Sequence, residues 1–254
     1  MRFRGFGRLA LLVALAACAR ENEPVPAIVV GPAVPNEAFR VLVFAETAGF
    51  RHASIEDGVA MLRALGEANG FGVDYSEHSE HFVQADLTRY AAVVFVSPTG
   101  DVLNASEQTA FEAYIRSGGG FVGIHAASDC EYAWSWYGQL VGRYFAGHPA
   151  IQTATVNTTQ PDHPLTDHLA GSESFTDEWY NFGPALTALD TVLQTVDETT
   201  YAGGTMGANH PITWYKTYDG GRSFYTALGH TEAQYTDPRF RELILRAVHW
   251  AAGD

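Results

Sequence analysis

Three histidines of this chain share one kind of local context. His52 follows the apolar run Phe39 to Ala45 by a short loop, His125 stands directly after Gly120 to Ile124, and His230 follows Ser223 to Leu228 by one glycine. Imidazole titrates near neutrality, so it serves as general base, proton donor or metal ligand. Open α/β sheets bind ligands beyond the carboxyl ends of their strands, and all three histidines can reach that edge of one sheet. His125 carries the sharpest signal. The turn Gly123-Ile124-His125-Ala126-Ala127 surrounds one polar residue with small ones at a strand end. This is the outline of a nucleophile elbow with imidazole at its apex. The alternative is a histidine that hydrogen-bonds a neighbouring loop.

Further candidates surround it. Asp129 can orient the His125 ring or share a metal with it. Trp134, Trp136 and Tyr137 form either a sugar-stacking wall or the packing face of a helix running from 136 to 144. His148 lies in Gly147-His148-Pro149. In Asp177-Glu178-Trp179-Tyr180, Glu178 beside two aromatic residues suits an acid/base group above a sugar ring, or else a solvated acidic loop. His210 belongs at the opposite end of its strand unless that strand is antiparallel. Cys130 lacks a basic partner and is a poor nucleophile. His78, His81, His163, His168 and His249 read as surface or structural.

The elements that must position these groups are legible as apolar periodicity. Phe39 to Ala45, Ala91 to Ser97 and Gly120 to Ile124 are continuous apolar runs of strand length, suited to burial on both faces of a parallel sheet. Helical patterns separate them. Ser54 with Asp57 is placed to cap the first, Ser106 to open the second, and Gly118-Gly119-Gly120 to stop it. The later segments Ile151 to Val156, Thr191 to Val196, Ile212 to Tyr215 and Ser223 to Leu228 read as strands. A last helix begins at Asp237-Pro238 and runs to Ala252. Alternation of strand and helix predicts an α/β fold.

Composition narrows the function. The 254 residues carry 15 Lys+Arg against 29 Asp+Glu, a net charge of −14, which disfavours a nucleic-acid partner. No Walker loop, His-Glu-x-x-His or Gly-x-Ser-x-Gly is present, so nucleotide binding and serine hydrolysis lack support. Arg2, Arg4 and Arg8 precede a short apolar run ending in Leu15-Ala16-Ala17-Cys18. That pattern predicts a lipoprotein signal peptide over 1–17 with lipidation at Cys18, or an ordinary secretory signal with Cys18 incidental. Residues 18–36 are expected to form a tether and 37–254 one domain. The expectation is an exported protein, lipid-anchored to the cell envelope on the periplasmic or outer-membrane side.

Several stretches together resemble the ThuA-like, or trehalose-utilisation, family. They are Gly49 to Ile55, Gly123 to Asp129, Trp134 to Tyr137, Gly147 to Pro149, Asp177 to Tyr180, His210 to Trp214 and Gly221 to His230. The resemblance implies a flavodoxin-like, class I glutamine amidotransferase-like three-layer sandwich with a mostly parallel sheet. That superfamily has cysteine at the elbow, and His125 in its place implies that amidotransferase chemistry is absent. The family's link to sugar catabolism implies a small carbohydrate or a 3-oxo-glycoside as substrate. In that setting His125, Glu178 and Asp129 are the catalytic candidates, and His52, Trp134, Trp136, Tyr180 and His148 the substrate-binding ones. His52, His125 and His230 could hold zinc or a similar divalent metal. The competing readings are a non-catalytic carbohydrate-binding lipoprotein and a structural partner in a larger surface complex.

Overall fold

The computed structural model describes residues 26–186 and 191–254. In chain order its elements are β1 (Phe39–Phe44), α1 (Ile55–Asn69), β2 (Phe71–Ser76), α2 (Gln84–Leu87), β3 (Ala92–Val96), α3 (Ala105–Arg116), β4 (Gly120–Ile124), α4 (Ser135–Val141), β5 (Phe145–Gly147) and β6 (Gln152–Thr158). They continue with β7 (Ser172–Asp177), β8 (Asn181–Phe182), β9 (Thr191–Val196), β10 (His210–Tyr218), β11 (Gly221–Thr226) and α5 (Pro238–Ala252). The signal segment 1–17 and Cys18 lie outside the described residues.

Among the described residues, nine strands form one sheet in the order β2-β1-β3-β4-β11-β10-β9-β6-β7. From β2 to β11 neighbours are parallel. Every residue of β3 and β4 is buried, as continuous apolar runs require when both faces are covered. Helices α1 and α5 pack on one face, and α3 and α4 on the other, which makes the three layers. The predicted α/β sandwich is therefore the observed one, with an antiparallel extension.

That extension decides where the late residues go. The pairs β11–β10, β10–β9, β9–β6 and β6–β7 are all antiparallel, so direction alternates and β7 runs with the parallel half. Strand β6 meets β9 only over residues 156–158, and residues 152–155 run on past it beside the end of β7. This overhang returns Asp177, the last residue of β7, to the carboxyl edge, where it contacts Gly229 and His230. Strand β10 runs the other way and begins at that edge with His210.

Several local expectations change. Ser54 makes no capping bond to α1, because its hydroxyl donates to the Gly229 carbonyl at 3.1 Å. Helix α3 is capped by Asn104, not Ser106: the Asn104 side chain accepts the Ser106 and Glu107 N–H groups while Glu107 accepts that of Asn104. Helix α4 stops at Val141, short of 144, because Gly142 turns the chain at φ +100°. The end of the expected 18–36 tether is not free. Val29 pairs antiparallel with Tyr75, and Gly31 N–H donates to Asp74 Oδ1 at 3.0 Å, so this segment covers part of the otherwise open edge of β2. The cap at Asp237, with Pro238 first in α5, is as expected.

Candidate functional site

His125 opens a 3-10 turn directly after β4, with φ +51°. A left-handed backbone at a non-glycine residue costs about 1–2 kcal/mol and persists only where the surroundings hold it. Here the Tyr225 hydroxyl donates to the His125 carbonyl at 2.8 Å, and the Ser128 hydroxyl lies 2.8 Å from that of Tyr225. His125 Nδ1 donates to the Ala227 carbonyl at 2.8 Å. That bond fixes the tautomer and leaves the Nε2 lone pair facing the neighbouring polar groups.

Those groups are His230, Glu178 and His52. His125 Nε2 is 3.1 Å from His230 Nδ1 and 3.5 Å from Glu178 Oε2, and Glu178 Oε2 is 3.1 Å from His230 Nδ1. The His52 ring stands edge-on to both other imidazoles, with centroids 4.9 and 5.2 Å away. His52 Nδ1 is buried with no hydrogen-bond partner. One ligand atom from each of the four residues lies within 4.8 Å of the others. Ligand atoms around a tetrahedral zinc at ordinary bond lengths are about 3.3 Å apart, so the three short separations match such a site. Three imidazoles, one of them with an unpartnered buried nitrogen, and one carboxylate fit a small divalent cation.

Electrostatics agree with that geometry. Burial, aided by the neighbouring His125 and His230, holds His52 down at about 3, so it is a neutral donor at ordinary pH. Burial alone would raise Glu178, but the His125 and His230 rings beside its carboxylate hold it well below the usual range. The Glu178 hydrogen bond raises His230 in return.

Two loops are locked together beneath the cluster by Asp177, which is fully buried. Its carboxylate accepts N–H groups from Glu178 at 2.9 Å, Gly229 at 2.8 Å and His230 at 3.1 Å. Gly229 sits at φ +118°, and a Cβ there would lie 2.8 Å from Ile124 Cγ2 and 2.9 Å from the Tyr235 hydroxyl. Only glycine fits that approach. His210, buried, donates from Nε2 to the Tyr180 carbonyl at 2.7 Å and so holds the Tyr180 segment from behind. It reaches the edge because β10 is antiparallel.

The cluster floors a cleft with a cavity volume of about 250 Å³. His52, Glu178 and His230 reach its surface, while His125 is fully buried beneath them. Phe50 forms one apolar wall, and Phe145 with Tyr180 another, their centroids 4.3 Å apart. Tyr180 also lies against the His125 ring at 4.2 Å. His148 and Asp129 complete the lining.

Some sequence-derived roles move. Asp129 does not orient His125, whose Nδ1 is taken by Ala227; its Oδ1 accepts the Tyr132 hydroxyl at 2.6 Å, and burial raises its carboxyl. Trp134 and Trp136 do not line the cleft. They stack on each other at 5.1 Å and pack against Phe111, with their indole N–H groups donating to Glu112 and Asp219. Cys130 is buried, and burial pushes its thiol up, so it is no nucleophile. Sequence reasoning missed Phe50 and Phe145 as walls and Asp177 as the clamp. Adjacency to His52, His148 and Glu178 was the available signal.

Comparisons with known proteins bear on the fold and on the family. Crystal structures of ThuA-like proteins from Bacteroides uniformis and Parabacteroides merdae superimpose with TM-scores of 0.73 and 0.72 at 23% and 21% identity. The first match covers 87% of this chain and 94% of the other, and the second 84% and 90%. A β-galactosidase from Bacillus circulans matches over 85% of this chain but 31% of its own, with TM-score 0.57 and 14% identity. These likenesses show a shared fold. A search of curated proteins gave no match. The family model described as ThuA, trehalose utilisation, spans residues 40–251, and the chain therefore belongs to the ThuA family.

Proposed function

We propose that the chain binds a small carbohydrate, and converts a sugar or 3-oxo-glycoside, over a divalent cation held by His52, His125, Glu178 and His230. The observation that carries this reading is the convergence of those four ligand groups at the floor of an aromatic-walled cleft. When bound, the cation supplies a positive charge for a substrate oxygen and offsets negative charge developing there. The protein does the rest. Phe50 and Phe145 offer apolar faces to the C–H face of a sugar ring, with the buried Tyr180 ring backing Phe145, and burial of such faces excludes water. Asp129 lines the same cleft and can hold a hydroxyl or the leaving oxygen of a glycoside by hydrogen bonding. A 3-oxo group acidifies the adjacent C–H, so the chemistry needs a base and a stabiliser of the resulting enolate, and no nucleophile. That requirement suits a site whose cysteine is buried and whose elbow residue is a histidine.

The same reading takes the protein to be exported and anchored to the envelope by lipid on Cys18, on the strength of the basic and apolar leader. Mass analysis of the mature N-terminus tests that part. The site is tested by elemental analysis of protein purified without chelators or a His-tag, beside His125→Asn. Asparagine tolerates the left-handed backbone at 125, so the variant isolates loss of the ligand. Near-stoichiometric zinc, manganese or nickel that falls in the variant, with turnover of 3-oxo-glycosides by the wild type, is expected. Sugar binding that survives in both proteins without metal or turnover would instead make this a binding lipoprotein.

A further inference from the structure

The short ladder β5–β8, separate from the main sheet, sets His148 beside Glu178. Gly147 pairs with Asn181, so the residue after β5 is brought against the segment 178–180 that precedes β8. Pro149 biases His148 to an extended backbone, and Gly147 at φ +152° admits the bend before it. His148 Nδ1 then lies 2.9 Å from Glu178 Oε1, while Glu178 Oε2 faces His125 and His230. The same Nδ1 is 2.9 Å from the Pro149 carbonyl. Both neighbours are acceptors, so Nδ1 carries the hydrogen and a neutral ring keeps its lone pair on Nε2. His148 lines the cleft with 42% of its side chain exposed.

We propose that His148 is the proton-transfer residue of this cleft, oriented by Glu178 so that Nε2 faces the substrate. The carboxylate does for His148 what the aspartate of a hydrolase triad does for its histidine: it sets tautomer and direction. The other imidazoles are poorly placed, since His125 is buried and His52 and His230 face the cation cluster. This assignment rests on the function proposed above. Nε2 takes the proton from the ring carbon beside the 3-oxo group, and the C–H electron pair forms the enolate. As the carbonyl re-forms, the pair makes a C1–C2 double bond and the C1–O bond breaks with its electrons on oxygen. The leaving oxygen takes the proton back from Nε2. The products are an unsaturated 3-oxo sugar and the free alcohol, with no oxidant or second substrate consumed.

Two measurements test it on zinc-supplemented protein. Nitrogen-15 NMR of histidine-labelled wild type, with the signal assigned by its loss in His148→Gln, should show His148 as the Nδ1–H tautomer. The Nε2–H tautomer overturns the proposal whatever the turnover. His148→Ala should lower kcat on a 3-oxo-glycoside by about 10²–10⁴-fold, with zinc content and KM held within about twofold. Free imidazole should then restore the rate as its concentration rises, because the vacated place is open to solvent. Turnover by the variant within about threefold of wild type, or loss of turnover in Asp129→Asn alone, overturns it. If wild type turns over no 3-oxo-glycoside yet His148 is the Nδ1–H tautomer, the substrate reading fails and the Glu178–His148 dyad stands.

Discussion

Asp177→Asn should dismantle the site without touching a proposed cation ligand. The wild-type carboxylate accepts three backbone N–H groups, two at Oδ1 and one at Oδ2, in a fully buried place. Asparagine can keep the two at its oxygen only by turning its NH2 toward the Gly229 N–H, donor against donor. One charge-assisted hydrogen bond is lost, about 1.5–3 kcal/mol, and the unpaired buried donors add about 1–3 kcal/mol. A net loss of about 3–5 kcal/mol is expected. At roughly 2–4 °C per kcal/mol for a domain of this size, Tm falls by about 10 °C. The freed Gly229–His230 loop also lets His230 drift from Glu178, so zinc affinity should fall about 10–100-fold. Thermal unfolding with and without zinc, and calorimetric titration, read both effects. A variant with Tm within about 2 °C of wild type and unchanged zinc affinity would refute the clamp.

Other substitutions separate site from scaffold. Trp134→Ala and Trp136→Ala should each cost about 2–4 kcal/mol by denaturant unfolding and leave sugar affinity within about twofold; a large loss of affinity at normal stability would return them to the cleft. Gly229→Ala should cost about 1–3 kcal/mol, through both its left-handed φ and the Ile124 and Tyr235 contacts, and a neutral result by the same assay would contradict the packing. The cation-free protein should lose stability as pH falls. His52 is held at about 3 when folded and lies near 6.5 when unfolded. Within that window the unfolded chain binds the proton and the native chain does not, so stability is full above the window and drains as pH drops through it. His52→Gln should remove up to about 1.4 kcal/mol per pH unit from that slope; an unchanged slope between pH 6 and 4 would show that His52 is not held neutral.

Local physics made much of this molecule legible in its sequence. Continuous apolar runs identify β1, β3 and β4 because a strand buried on both faces has no polar position to spare. Small residues around His125 mark the elbow because the turn has no room for others, and Asp237-Pro238 marks a helix start because both residues suit it intrinsically. A histidine after a strand must lie at that strand's carboxyl edge, so His52, His125 and His230 could be grouped before any contact was known. Tertiary structure decided the remainder. The polar strand β7 carries no strong periodic signal, and its direction depends on four successive antiparallel pairings. Only that topology, with the overhang of β6 and β7, brings Asp177 and Glu178 to histidines on the other half of the sheet. It also brings His210 to the same edge, through the reversed direction of β10. The Trp134–Trp136 pair reads equally as wall or packing until α3 supplies the partner, and Ser54 reads as a cap until Gly229 arrives to take its hydroxyl. Side-chain type and local spacing are written along the chain, whereas strand direction, register and competition for a hydrogen bond are settled by segments far apart in sequence.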